Sequence, residues 1–134
     1  MALSPALREY LSEPRFAVLA TINSDGMPQQ SVMWYELRGD TIVMNTTTTR
    51  VKGRNLARDR RISVCFADGY RYVTIAGEAE LVAEQATAQE DIHRLAIRYH
   101  GEELAASMMA EMFSKQERVS IYLPIERAVV YGFE

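Results

Sequence analysis

A chain of 134 residues that is 48% hydrophobic and 25% charged has room for one buried core and an ordinary polar surface, so a single domain over residues 1–134 is expected. A formal net charge of −3 argues against nucleic-acid binding by bulk electrostatics, and no apolar run approaches the ~18 residues of a membrane-spanning helix. The start Met1-Ala2-Leu3-Ser4-Pro5 lacks the basic and apolar stretches of a signal peptide and the lone Cys65 leaves no internal disulfide, so the expected compartment is the cytoplasm.

Ser4 and Pro5 predict a helix start, with Ser at the N-cap and Pro at the first helical position. Leu7, Tyr10 and Leu11 share one face of it, and Pro14 stops it. Phe16 to Ile22 is a near-continuous apolar run, short enough for a strand buried on both faces. Asn23-Ser24-Asp25-Gly26 predicts a turn. Pro28 to Leu37 reads as the returning strand, with Val32, Trp34 and Leu37 inward, and Thr41 to Thr46 as the third strand of an antiparallel meander. Thr46-Thr47-Thr48-Thr49 interrupts the pattern, and Arg50 to Asp59 reads as one short helix despite Gly53. Arg61 to Ala67 is a fourth strand with Cys65 in its core. Tyr70 to Val82 is a long fifth, with Val73, Ile75, Ala79 and Leu81 on one face and a bulge or kink at Gly77. Thr87 to Tyr99 carries Ile92, Leu95, Ala96 and Tyr99 at helical spacing and ends at His100-Gly101. Glu102 to Phe113 predicts a second helix with Leu104, Met108 and Met112 inward; Arg118 to Leu123 and Ala128 to Phe133 are closing strands. The expected class is mainly β, a barrel of about six or seven antiparallel strands with peripheral helices. Periodicity alone does not tell such a barrel from a sandwich.

The distribution of charge carries more than its sum. Six of the fifteen basic residues fall between Arg50 and Arg61, namely Arg50, Lys52, Arg54, Arg58, Arg60 and Arg61, opposed there by Asp59 alone. A helix N-terminus carries about half a positive charge and four unpaired N–H donors. Arg50 and Lys52 in that first turn are unfavourable unless an anion sits between them, and a phosphate would take N–H donors, threonine hydroxyls and both cations together. The alternatives are Thr49 as a simple N-cap and the whole segment as a solvated basic helix.

The segment Thr46-Thr47-x-x-Arg50-x-Lys52-x-Arg54-Asn55-Leu56-x-Arg58-Asp59 resembles the signature of the pyridoxamine 5′-phosphate oxidase-like split β-barrel superfamily, in particular its branch of small proteins that use the deazaflavin coenzyme F420. Ala17 to Gln29, Ser31 to Tyr35, Tyr72 to Glu80 and Arg127 to Tyr131 are similar too, in the same order, so the resemblance spans nearly the whole chain. It implies a split β-barrel of the FMN-binding-protein type, and a homodimer with the cofactor at the subunit interface. Arg50 and Lys52 would hold the cofactor phosphate with Thr46, Thr47, Thr48 and Thr49 beside them. Gln30, Ser31, Val32 and Met33, with Met44 to Thr46, would flank the ring. Pyridoxamine-phosphate oxidases proper carry an adjacent Arg-Lys pair and a longer C-terminal segment, whereas this sequence has Arg50-Val51-Lys52 and ends at Glu134; vitamin B6 oxidation is therefore not expected. The expected activity is F420-dependent reduction of an unsaturated small molecule. The alternatives are an FMN-dependent reductase or oxidase of the same fold, or a non-catalytic flavin- or haem-binding protein. No nucleophile elbow or Ser/His/Asp set is evident, and hydride chemistry needs none. Tyr35, Tyr72 and Tyr122 are candidate proton donors, each also readable as a packing aromatic. No metal site is expected from His93 and His100, which lie seven apart without a further ligand nearby.

Overall fold

The structure, a computed structural model, describes residues 3–133. Helix α1 (Pro5–Ser12) starts where the sequence predicts: the Ser4 hydroxyl accepts from the Leu7 N–H at 3.2 Å, and Leu7, Tyr10 and Leu11 enter the core. Strand β1 (Ala17–Ile22) alternates buried and half-buried positions, so only one of its faces is deeply buried, not both. The turn at Gly26 has φ +89°, which a side chain would strain, and leads into β2 (Pro28–Met33). The register pairs Ala17 with Met33 and Val18 with Val32. Met33 therefore faces the core and Val32 faces out, the reverse of the expected orientation, because a strand's side chains alternate and a one-residue offset exchanges its faces.

The expected meander is also corrected. The chain leaves the first sheet at Trp34 and the fully buried Tyr35, and β3 (Glu36–Arg38) with β4 (Thr41–Thr47) forms a hairpin in a second sheet. Helix α2 (Val51–Arg58) then returns the chain to β5 (Arg61–Asp68). The long fifth strand splits at Ala79 into β6 (Arg71–Glu78) and β7 (Glu80–Val82), which lie in different sheets. Near that break Gly77 passes Leu123 so closely that a Cβ would stand 3.3 Å from its Cδ1. Helices α3 (Gln85–His100) and α4 (Glu102–Glu111) and a short 3-10 turn (Phe113–Lys115) precede β8 (Arg118–Pro124) and β9 (Ala128–Tyr131).

The result is a split barrel of two antiparallel sheets, β2-β1-β5-β6-β9 and β3-β4-β8-β7, which are not joined into a closed ladder among the described residues. Among the described residues nine strands replace the six or seven expected, because two long strands each change sheet midway. Leu19, Tyr35, Met44, Phe66, Ile75 and Ile121 fill the space between the sheets. A second cluster, centred on Ile92, Leu95, Ala105 and Phe113, ties α3 to α4. Leu104 and Met112 are exposed rather than inward; α4 instead leans on α3 through Ala105, with Met108 and Met109 half-buried. The outer face of the larger sheet carries Val32, Tyr72, Val129 and Tyr131 exposed, and the half-buried Cys65 lies on it opposite Val18 and Thr74 rather than in the core. No described helix is long and apolar enough to cross a membrane.

Candidate functional site

The site lies where β4 ends and α2 begins. Gly53 lets the helix rest against the strand end, since a Cβ there would sit 2.3 Å from the Thr47 carbonyl oxygen. The buried Asn55 locks the helix to the β1–β2 hairpin, its Nδ2 donating to Thr21 Oγ1 at 3.0 Å and Asn23 Oδ1 at 2.9 Å, and Leu56 is fully buried. Arg54 donates to the Thr49 carbonyl at 2.7 Å, Arg58 to the Ile22 carbonyl at 2.7 Å, and Arg61 pairs with Asp59 at 2.8 Å. These arginines tie the helix down. Arg50 and Lys52 have no such partner: among the described residues neither side chain makes a hydrogen bond or ion pair within the chain.

Arg50 is itself the N-cap of α2 and its side chain makes no capping bond, so the first-turn N–H groups face outward uncapped. Thr49 is not the cap; it is exposed, with its hydroxyl 3.4 Å from that of Thr47. Beside this helix end opens a cleft of about 270 Å³. Its polar side is Asn45, Thr46, Arg50, Lys52 and Arg118; its apolar side includes Met33, Trp34, Met108 and Phe113. Trp34 is stacked on Tyr99 with ring centroids 5.3 Å apart, which fixes its plane.

Of the residues singled out from the sequence, the fold brings Thr46, Arg50, Lys52, Val32 and Met33 to this cleft. Thr47, Thr48, Thr49, Gln30 and Ser31 do not line it. Thr48 donates to Glu117 Oε1 at 3.0 Å, Ser31 Oγ accepts from Gln29 at 2.9 Å, and Gln30 faces out opposite Ala20. Only the last residues of β2 reach the cleft, so its earlier residues are spent on the sheet. Met44 is core. The sequence reading missed Arg118, whose only signal is a charged residue heading the apolar alternation Val119, Ile121 and Leu123.

Three cations thus share one cleft, and among the described residues no carboxylate lies within 4.0 Å of any of them. Burial, then the fields of Arg50 and Arg118, hold the Lys52 ammonium below its ordinary range. Burial and Arg50 push Arg118 down to about 10. Thr46 is 1% exposed, and its hydroxyl has no hydrogen-bond partner among the described residues. An orphaned hydroxyl, uncapped helix N–H groups and unneutralised cations all call for the same thing, an anion with several acceptor oxygens. A larger open concavity, about 1090 Å³, lies beside Arg58 and Arg60, but Glu78, Glu80 and Glu126 share its lining and give it no single sign.

The profile of the pyridoxamine 5′-phosphate oxidase family matches residues 3–128. This chain belongs to that family. Several solved structures resemble it along nearly its whole length. A conserved hypothetical protein of Mycobacterium tuberculosis shares 28% identity over 98% of this chain and 86% of its own, with a TM-score of 0.81. An F420 reductase shares 25% identity over 95% of this chain and 98% of its own, with a TM-score of 0.74. A haem storage protein from Vibrio cholerae has the same fold at 19% identity, covering 99% and 97% of the two chains, with a TM-score of 0.74.

Within this member of the family the candidate proton donors are otherwise engaged. Tyr35 is in the core, its hydroxyl donating to the Glu13 carbonyl at 3.0 Å, and burial pushes its pKa up to about 12. Tyr122 donates to the buried Asp91, and Tyr72 stacks on Tyr131 on the outer sheet face at 5.3 Å between centroids. None lines the cleft, whose described walls hold no carboxylate, histidine or tyrosine. The arrangement can bind and orient an anionic, partly planar ligand; it carries no acid–base pair of its own.

Proposed function

We propose that the chain is a coenzyme F420-dependent reductase, with Arg50 and Lys52 holding the cofactor's phosphoryl group at the start of α2. The observation that carries this reading is the cleft itself: cations without a carboxylate and an orphaned Thr46 hydroxyl on one side, Trp34 and methionines on the other. The Arg50-Val51-Lys52 spacing and the similarity to an F420 reductase at 25% identity favour the deazaflavin over FMN. When bound, the deazaflavin supplies a hydride to an electron-poor double bond. The chain's own part is positional. Arg50 and Lys52 anchor the charged end, Met33 and Trp34 offer the ring an apolar wall, and Met108 and Phe113 exclude water from the far side. With no carboxyl, histidine or tyrosine in the described walls, the product's proton comes from water, from the Lys52 ammonium or from a second protomer.

That second protomer is part of the proposal. The outer face of the larger sheet presents Val18 and Val32, Cys65 and Thr74, and Val129 and Tyr131, without a charge among them. Val32 belongs both to this face and to the cleft lining, so a second copy seated on the sheet would close the cleft. Titration of the purified protein with oxidised F420 and with FMN, followed by cofactor and Trp34 fluorescence, tests the reading. Tight F420 binding, and oxidation of reduced F420 by an unsaturated acceptor, are expected. FMN preference moves the protein to a flavin-dependent activity, and binding of neither refutes the phosphate site.

A further inference from the structure

We propose that Arg118 is the third cation on the anion held by Arg50 and Lys52, aimed at it from the cleft wall by Asn45. The proposal rests on the reading of the cleft as a phosphoryl site and adds a residue that lies outside the helix motif, on the neighbouring strand.

Arg118 heads β8 opposite Thr47, so it stands at the strand end from which α2 departs, on the same face as Asn45. Only 5% of it is exposed. Its Nε donates to Asn45 Oδ1 at 2.7 Å and its Nη1 to Gln116 Oε1, while Nη2 has no acceptor among the described residues. The Phe113 ring lies 4.9 Å from its Cζ and closes one side of the guanidinium plane. The direction in which Nη2 points is therefore fixed by neighbours rather than chosen by a mobile side chain.

Asn45 is fixed in turn. Its Nδ2 donates to the Ala88 carbonyl at 2.9 Å and to Ser120 Oγ at 3.2 Å, which leaves Oδ1 turned to Arg118. Ser120 Oγ donates onward to Asp91 at 2.7 Å, and Asp91 is paired with Arg38 at 3.1 Å. The chain of bonds runs on through Arg38 to Glu36 and Arg94, two carboxylates matched by two cations, so the Asp91 charge is balanced within it and does not neutralise Arg118. A guanidinium buried on neutral amides alone is costly, because desolvation is not offset by an opposite charge. A strut between β4, β8 and the 3-10 turn would need only a neutral donor. A full cation with a free Nη2 suits an anion instead, and a bound phosphoryl group would offset the mutual repulsion among Arg118, Arg50 and Lys52.

The test compares the intact wild-type protein with Arg118→Gln, Arg118→Lys and Lys52→Ala, using F420 and FMN titrations together with melting in the absence and presence of inorganic phosphate. Arg118→Gln is expected to lose at least about tenfold in affinity for the bound cofactor, with Arg118→Lys recovering part of the loss. Without ligand, Arg118→Gln is expected to melt at or above the wild-type temperature, since an unmatched buried charge has gone, and to lose the protection that phosphate gives. Wild-type affinity in Arg118→Gln alongside weakened binding in Lys52→Ala overturns the role of Arg118 and leaves the phosphoryl site standing. Wild-type affinity in both variants overturns the site as well. A lower melting temperature with unchanged affinity makes Arg118 a strut and overturns the proposal. Should Arg118→Gln fail to fold, unchanged affinity in Arg118→Lys decides against it.

Discussion

Replacing Gly53 with alanine tests how α2 is seated at the cleft. On helix propensity alone the change should stabilise, by about 1 kcal/mol. The structure opposes this: the new Cβ would lie 2.3 Å from the Thr47 carbonyl oxygen and 3.3 Å from Thr48 Cα, both backbone atoms of the β4 end. Restoring ordinary contact distance requires the helix start to retreat by about 1 Å, and overpacking of this kind costs about 1–3 kcal/mol. Because the obstructing atoms are backbone, the upper part of that range applies, and a net loss of about 1–2 kcal/mol is expected. For a chain of this length that corresponds to a fall in melting temperature of about 3–8 °C. The retreat also carries the Arg50 and Lys52 backbone away from Thr46, so cofactor affinity should fall several-fold. Ala57→Gly, at an exposed position of the same helix, measures the propensity effect by itself. Thermal and urea unfolding of both variants decide the matter. A Gly53→Ala protein as stable as wild type, or more so, would refute the close seating of α2 and the reason given for glycine there.

Lys52→Ala should weaken cofactor binding at least about tenfold in a folded protein, whereas Arg60→Ala, beyond the far end of α2, should change it little; fluorescence titration distinguishes them. Val32→Arg places a charge on the outer face of the larger sheet, and light scattering should then show a monomer with reduced cofactor affinity, while a dimer of wild-type affinity would count against the proposed interface. Tyr35 binds its proton more tightly in the folded chain than at its ordinary value of 10.0, up to about 12. Its contribution to stability is therefore complete below pH 10 and is lost as pH rises toward 12. Tyr35→Phe should remove the latest step from the tyrosinate absorbance titration and flatten the alkaline fall in stability over that interval.

Local chemistry was readable wherever neighbours along the chain decide it. The Ser4 cap, the Gly26 turn, the Gly101 helix end and the position of Arg50 and Lys52 at the start of α2 all follow from adjacent residues. Family membership was legible too, because the resemblance runs in order along nearly the whole chain, as does the family match over residues 3–128. What depends on partners distant in sequence was not readable. That Val32 faces out and Met33 in is a matter of register against β1, and the apolar run is equally compatible with either. The sheet changes at Trp34 and Ala79 break no composition pattern. Arg118 joins the site only because β8 pairs with β4, and nothing near it in the sequence points to Arg50.

The pairing of β4 with β8 also sets an order of events during synthesis. The hairpin of β1 and β2 and that of β5 and β6 leave the ribosome early and have partners at hand. Strand β4, with six consecutive buried residues from Ile42 to Thr47, has only the three-residue β3 beside it until Arg118 to Pro124 emerge. A nascent chain thus keeps that edge of β4 unpaired until residues 118–124 follow. The cation-lined cleft, shared between those two strands, therefore forms only after the β1–β2 and β5–β6 hairpins are in place.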